Sequence, residues 1–112
     1  MTLVWYRVRD LDDARAFYTG KLGFAEIYRD EDGRWARLQR DAIEVGLTEG
    51  EPETEGAVAT LDVEDVKTEA DRLRGEGVEV GTVVELHGEM RLLDVFDTDG
   101  NRIQLAEELS GG

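Results

Sequence analysis

Residues 3–24 read Leu3-Val-Trp-Tyr-Arg-Val8-Arg-Asp10-Leu-Asp-Asp-Ala14-Arg-Ala-Phe17-Tyr18-Thr-Gly20-Lys-Leu-Gly23-Phe24, and two periodicities meet in them. Leu3 to Val8 is a run of β-formers that stops at Asp10, a residue suited to capping a helix. Beyond it Leu11, Ala14, Phe17 and Tyr18 recur at helical spacing, and Asp12 and Asp13 sit where a helix dipole favours acids. Gly20 and Gly23 supply the stop, with Lys21 near the C-terminal end. Three further strand-like runs follow, Gly23–Tyr28, Arg34–Gln39 and Ala42–Leu47, separated by turn residues at 30–33 and 40–41. The order is β-α-β-β-β.

The same order then recurs. Ala57–Val63 reads as a strand and Asp65 as a cap. Val66, Ala70 and Leu73 form the inward stripe of a helix that ends by Gly75 or Gly77, and strands are expected at Val78–Val84, Met90–Phe96 and Arg102–Ala106. Val8-x-Asp10 matches Val63-x-Asp65, and Ile43-Glu-Val45 matches Ile103-Gln-Leu105. Between the copies, residues 49–56 hold the only proline, Pro52, and no large apolar side chain, so they read as a linker. The expected organisation is a single domain over 1–112: module 1 over 1–48, linker 49–56, module 2 over 57–109 and a tail at 110–112.

Composition narrows the chemistry. With 112 residues, 40% hydrophobic and 36% charged, the chain is one globular domain able to bury a core. It has no cysteine, its only serine is Ser110 in the tail, and its only histidine is His87. Disulfides, thiolate metal sites, a Ser-His-Asp hydrolase and a multi-histidine centre are thereby excluded or left without residues. A formal charge of −14 repels phosphate backbones and anionic membranes, so neither nucleic acid nor membrane is an expected partner. Eleven of the thirteen bases are arginine, a skew that codon bias or salt adaptation would produce. No apolar run approaches ~18 residues and Met1 opens straight into a strand-like segment, so a cytoplasmic location is expected.

Val8-Arg-Asp10-Leu, Ala14, Phe17-Tyr18 and Leu22-Gly23-Phe24 are similar to the opening of the vicinal oxygen chelate superfamily, which holds glyoxalase I, extradiol dioxygenases and bleomycin-resistance proteins. Asp97-Thr-Asp-Gly-Asn101-Arg-Ile103-Gln-Leu resembles that group's closing Asp-Pro-Asp-Gly-Asn strand, with Thr98 in place of proline. The resemblance implies an α+β fold of two tandem βαβββ modules, a curved mixed β-sheet with helices outside and a central cavity, and a homodimer. Strand alternation then assigns side chains to the cavity. Leu3, Trp5 and Arg7 turn inward from the first strand, and Val58, Thr60 and Asp62 from its counterpart. Trp35 and Arg37 join them, as do Leu92, Asp94 and Phe96, with Glu44 and Gln104 from the last strands.

Enzymes of the superfamily place a divalent metal among four such positions, which here are Leu3, Glu44, Val58 and Gln104. Leucine and valine offer no lone pair, so no metal, cofactor or catalytic residue is assigned. The expected function is binding without a metal, closest in character to the bleomycin-resistance branch. Trp5 and Trp35 would stack on an aromatic small molecule, such as an antibiotic held by sequestration, and Glu44, Asp62 and Asp94 would neutralise a cationic group on it. The alternative is a metal-dependent glyoxalase-like lyase, isomerase or dioxygenase using the oxygens of Glu44, Gln104, Asp62 and Asp94. Interface or core filler is the plainer role for the tryptophans.

Overall fold

Each module begins with a carboxylate that turns a strand into a helix. A computed structural model describes residues 2–52, 56 and 58–109; the tail, Met1, Ala57 and part of the linker lie outside the described residues. Strand β1 (Thr2–Val8) leads to helix α1 (Leu11–Gly20), and β5 (Ala59–Asp62) leads to α2 (Val66–Gly75). Asp10 accepts from the Asp13 backbone N–H at 3.0 Å and Asp65 from that of Thr68 at 3.1 Å, so both expected caps form. A second carboxylate reaches each helix start from the last strand of its module. The Leu11 N–H donates to Glu49 at 3.1 Å and the Val66 N–H to Glu107 at 2.9 Å, satisfying a second free donor and opposing the helix dipole.

The remaining strands are β2 (Ala25–Asp30), β3 (Trp35–Arg40), β4 (Ile43–Glu49), β6 (Glu79–Val80), β7 (Val84–Leu86), β8 (Met90–Phe96) and β9 (Arg102–Glu108). The first module's sheet has the order β1-β4-β3-β2, and the second β5-β9-β8-β6 with β7 also on β8. In each, the opening strand pairs parallel with the closing one and the other pairs are antiparallel. The architecture is the expected α+β pair of βαβββ modules. The run at 78–84 is not one strand, however. Val80 pairs with Val95 and Val84 with Leu92, so three residues stand against two; the Gly81 N–H still donates to the Asp94 carbonyl at 2.8 Å, and the bulge interrupts the ladder between there and Val84.

Alternation decides burial. Val4, Tyr6, Val8, Ala36, Leu38, Val45 and Leu47 pack beneath Leu11, Ala14, Phe17 and Tyr18. Ala59, Leu61, Leu93, Val95, Ile103 and Leu105 pack beneath Val66, Ala70 and Leu73. Each fully buried aliphatic side chain contributes roughly 1.5–3 kcal/mol by leaving water. The opposite face of each sheet has no helix on it, and exposed large apolar side chains gather there: Leu3, Trp5, Tyr28, Val84 and Leu86.

A buried polar seam joins the modules. The Tyr18 hydroxyl donates to Asp97 Oδ2 at 2.8 Å, and Asn101 Nδ2 donates to the same oxygen and to the Arg7 carbonyl. The backbone N–H groups of Asp99 and Asn101 fill Asp97 Oδ1, and Gly100, at φ 83°, allows the tight turn between them. Nearby, the Tyr6 hydroxyl donates to the Arg102 carbonyl at 2.6 Å and accepts from the Ala59 N–H at 2.9 Å. Thr98 in place of proline leaves this turn intact.

Burial pushes the Tyr6 phenol up to about 12, and burial beside Asp97 raises Tyr18 well above the ordinary value of 10. The folded protein thus holds these protons more tightly than the unfolded chain, and their contribution is complete below pH ~10 and lost as pH rises through the raised values. Urea unfolding at a series of pH values should give a free energy that falls above pH ~10 by about 1.4 kcal/mol per pH unit per phenol. Tyr6→Phe should lower stability by about 1–3 kcal/mol at neutral pH and remove one phenol's share of that slope. A free energy constant to pH ~12 would contradict the buried seam.

Candidate functional site

The open face of the first sheet is built in rows, because residues paired across neighbouring strands share a face. One row runs Leu3, Glu44, Gln39, Ala25; the next Trp5, Gly46, Arg37, Tyr28; the third Arg7, Thr48, Trp35, Asp30. The expected inward residues of module 1 therefore do come together, with Trp5 and Trp35 in edge contact at a centroid distance of 5.9 Å. They line an open face, not a closed cavity. No barrel closes among the described residues, and Trp5 is 47% exposed.

Two further residues shape this face. The first is Tyr28, whose ring lies 4.9 Å from that of Trp35. Glu26 pairs with Leu38 but Tyr28 with Arg37, so Ile27 is the extra residue of a β-bulge. That bulge turns Tyr28 onto the open face, which strict alternation would have denied it. The second is Gly46. A Cβ there would fall 2.3–2.5 Å from the Trp5 ring, so the indole lies flat across the place of the missing side chain. Trp5, Trp35 and Tyr28 thereby form a continuous aromatic strip across four strands. A glycine in mid-strand was the signal available in the sequence for such a close approach.

Glu44 lies buried beside the strip at 4% exposure, and Arg37 Nε donates to its Oε2 at 2.5 Å. The hydrogen bond to Glu44 raises the Arg37 guanidinium above its ordinary value.

On the second sheet the rows are Thr60, Gln104, Asp94, and Asp62, Ala106, Leu92, Val84, with Phe96 opposite Arg102. The expected residues Thr60, Asp62, Leu92, Asp94, Phe96 and Gln104 share this face, and Asp94 meets Arg102 at 3.5 Å. Val58 does not join them as the repeat implied. It precedes β5, and the residue opposite Gln104 is Thr60, whereas Glu44 lies opposite Leu3. The two halves differ by two residues in the pairing of first strand with last, a shift that a motif alignment at Ile43 and Ile103 does not register.

The four positions at which the superfamily's enzymes hold a divalent ion do not suit one here. Leu3 has no side-chain donor atom and neither has Val58; Thr60, which the strand pairing puts in Val58's place, turns its hydroxyl to the Gln104 carbonyl at 3.5 Å, and Glu44 is engaged by Arg37. Among the described residues no three His, Cys, Asp or Glu side chains stand together as a metal cluster. His87 has φ 52° and Gly88 φ 69°, the backbone of a tight hairpin turn, and it is exposed at the tip joining β7 to β8.

Two βαβββ modules, each with one sheet face under a helix and the other left open, define a paired-module α+β protein. The chain belongs to the Glyoxalase/Bleomycin resistance protein/Dioxygenase superfamily, whose family profile matches residues 2–105. Among solved structures it is similar to the integron cassette protein HFX_CASS4 from the mobile metagenome of Halifax Harbour Sewage Outfall, at 23% identity and TM-score 0.84, over 96% of this chain and 97% of that one. It is similar also to the fosfomycin resistance protein FosX of Listeria monocytogenes, at 19% identity and TM-score 0.80, over 96% and 90% of the two chains. A third is TnmS3, an antibiotic binding protein from Streptomyces sp. CB03234, at 25% identity and TM-score 0.73, over 95% and 93%. No curated protein resembles the chain closely enough to count as a relative. Among the described residues, no helix is long and apolar enough to cross a membrane.

Gly46→Ala should leave the fold intact but lift Trp5 out of contact with Trp35. Near-ultraviolet circular dichroism should lose the signal of the coupled indoles, and stability should fall by only about 0.5–1.5 kcal/mol. An unchanged spectrum would mean that Trp5 does not lie across Gly46.

Proposed function

We propose that this chain is a small-molecule-binding protein that holds a planar aromatic compound on the open face of its first module without a metal ion, as in sequestration of an antibiotic. The observation that carries this reading is the aromatic strip of Trp5, Trp35 and Tyr28, laid open by Gly46 and held on a rigid sheet. Stacking on such rings adds on the order of 0.5–1.5 kcal/mol per pair beyond burial of area. The likeness to an antibiotic binding protein supports it, as do Leu3, which has no side-chain donor, and Glu44, which is already paired with Arg37. A cationic guest has weaker support, since Glu44 and Asp94 are each already paired with an arginine. Asp62 is the exposed carboxylate that keeps that version in play.

Titration with fused-ring aromatic antibiotics should quench tryptophan emission, Trp5→Ala should weaken binding by about tenfold, and the compound should be recovered with its mass unchanged. Elemental analysis of protein purified without added metal should find no stoichiometric transition metal after dialysis. A retained metal, or a chemically altered ligand, overturns this reading in favour of a metal-dependent lyase, isomerase or dioxygenase.

We also propose a homodimer, in which a second copy covers part of the open faces. Leu3, Val84 and Leu86 are 44%, 50% and 40% exposed there, an apolar surface that a solitary chain leaves in water. Sedimentation equilibrium should return twice the chain mass, and Leu86→Lys should shift the equilibrium toward single chains. A chain that stays monomeric at about millimolar concentration would refute the pairing.

A further inference from the structure

We infer that Arg37 sets the charge of the guest: the aromatic face takes a ring compound bearing an anionic edge group, such as a carboxylate, in preference to a cationic one. The inference rests on the reading of that face as a stacking surface. The three rows of the face carry four charges, Glu44, Arg37, Arg7 and Asp30, and a guest on the strip does not meet them equally. Glu44 is 4% exposed and already holds Arg37. Asp30 stands on the outermost strand, with one carboxylate oxygen accepting from the Gly33 N–H at 3.1 Å in the turn beyond it. Arg7 stands at the other end of that row, its stem along Gly50. Arg37 is in the middle. It pairs with Gly46 on one side and Tyr28 on the other, so it rises between the place where the Trp5 indole lies and the Tyr28 ring, and its side chain is 41% exposed.

Position and orientation make this arginine a recognition group. Its Nε donates to Glu44 Oε2 at 2.5 Å, while among the described residues its two terminal nitrogens donate to no protein oxygen and are left to solvent. The planar fork is thus oriented by a buried carboxylate before any guest arrives, and a carboxylate or similar anion matches its geometry. Neighbouring strands lie about 4.8 Å apart, so a ring stacked on the indole over Gly46 brings a substituent on its edge to the guanidinium without leaving the strip. An ammonium at the same edge would face a like charge. The four charges cancel, so the face is neutral in a chain of formal charge −14, and at about 0.15 M salt charges more than ~8 Å away are largely screened.

The test uses 2-naphthoate, 2-naphthamide and 2-naphthylmethylamine, which share one ring system and are negative, uncharged and positive at neutral pH. Equilibrium dialysis against the full chain in about 0.15 M salt ranks them, and the indole N–H resonances of Trp5 and Trp35 locate binding at the strip. Naphthoate should bind about fivefold tighter than the amide, as a charge-assisted pair half open to water gives, and the amine should bind most weakly. Arg37→Gln should bring the ratio of naphthoate to amide affinity to about one or below. Should that variant unfold because Glu44 loses its partner, Arg37→Gln combined with Glu44→Gln removes both charges and should give a ratio of about one. Equal binding of naphthoate and amide with shifted indole signals overturns the role of Arg37 and leaves the stacking surface standing. A preference for the amine does the same, as does a naphthoate preference that persists in either variant. Absence of binding by all three probes at about millimolar concentration overturns the stacking surface and this inference together.

Discussion

Among the described residues two ten-residue helices cover two sheets, and a sheet has two faces. Each sheet is therefore buried on one side and open on the other, and nearly everything else follows from that shortage. It explains why buried and exposed residues alternate along β1 and β5, why the core lies between sheet and helix, and why Leu3, Trp5, Tyr28, Val84 and Leu86 stand exposed where no helix sits. An open sheet face of this kind has little use in a solitary, inert protein. It is available for a guest, a second copy, or both.

The polar seam at Asp97 makes the arrangement specific. Four donors converge on one carboxylate, and they come from α1, the closing turn and Asn101, so modules distant in sequence are held by a single group. A half-satisfied buried carboxylate would cost more than it contributes; a fully satisfied one tolerates little displacement of either module. Glu44 is the contrasting case. It too is buried, but it is paired with Arg37 and lies on the open side of the sheet.

Membership of the Glyoxalase/Bleomycin resistance protein/Dioxygenase superfamily, and a fold shared with a fosfomycin resistance protein and an antibiotic binding protein, show what the scaffold accommodates and do not select a role. The selection lies in side chains. Leucine stands at one of the four positions where the superfamily's enzymes place metal donors, the register puts a threonine at its counterpart, and aromatic rings occupy the row next to Leu3. A surface of that composition is suited to stacking and hydrogen bonding more than to Lewis-acid chemistry.

Alternation and spacing along the chain were enough to determine the two βαβββ units, both helix caps, the buried stripe of each helix and the side of the sheet on which Leu3, Trp5, Arg7, Trp35, Arg37 and Glu44 stand, because those properties depend on periods of two and 3.6 residues. Three features were beyond their reach, and each depends on strand pairing. The bulge at Ile27 brings Tyr28 round to Trp35. The flat approach of Trp5 over Gly46 joins two strands that only the parallel pairing makes neighbours. The two-residue difference in register puts Thr60, not Val58, across from Gln104. A register is a relation between segments that lie dozens of residues apart, and no local pattern carries it; it is settled only when the sheets close against their helices.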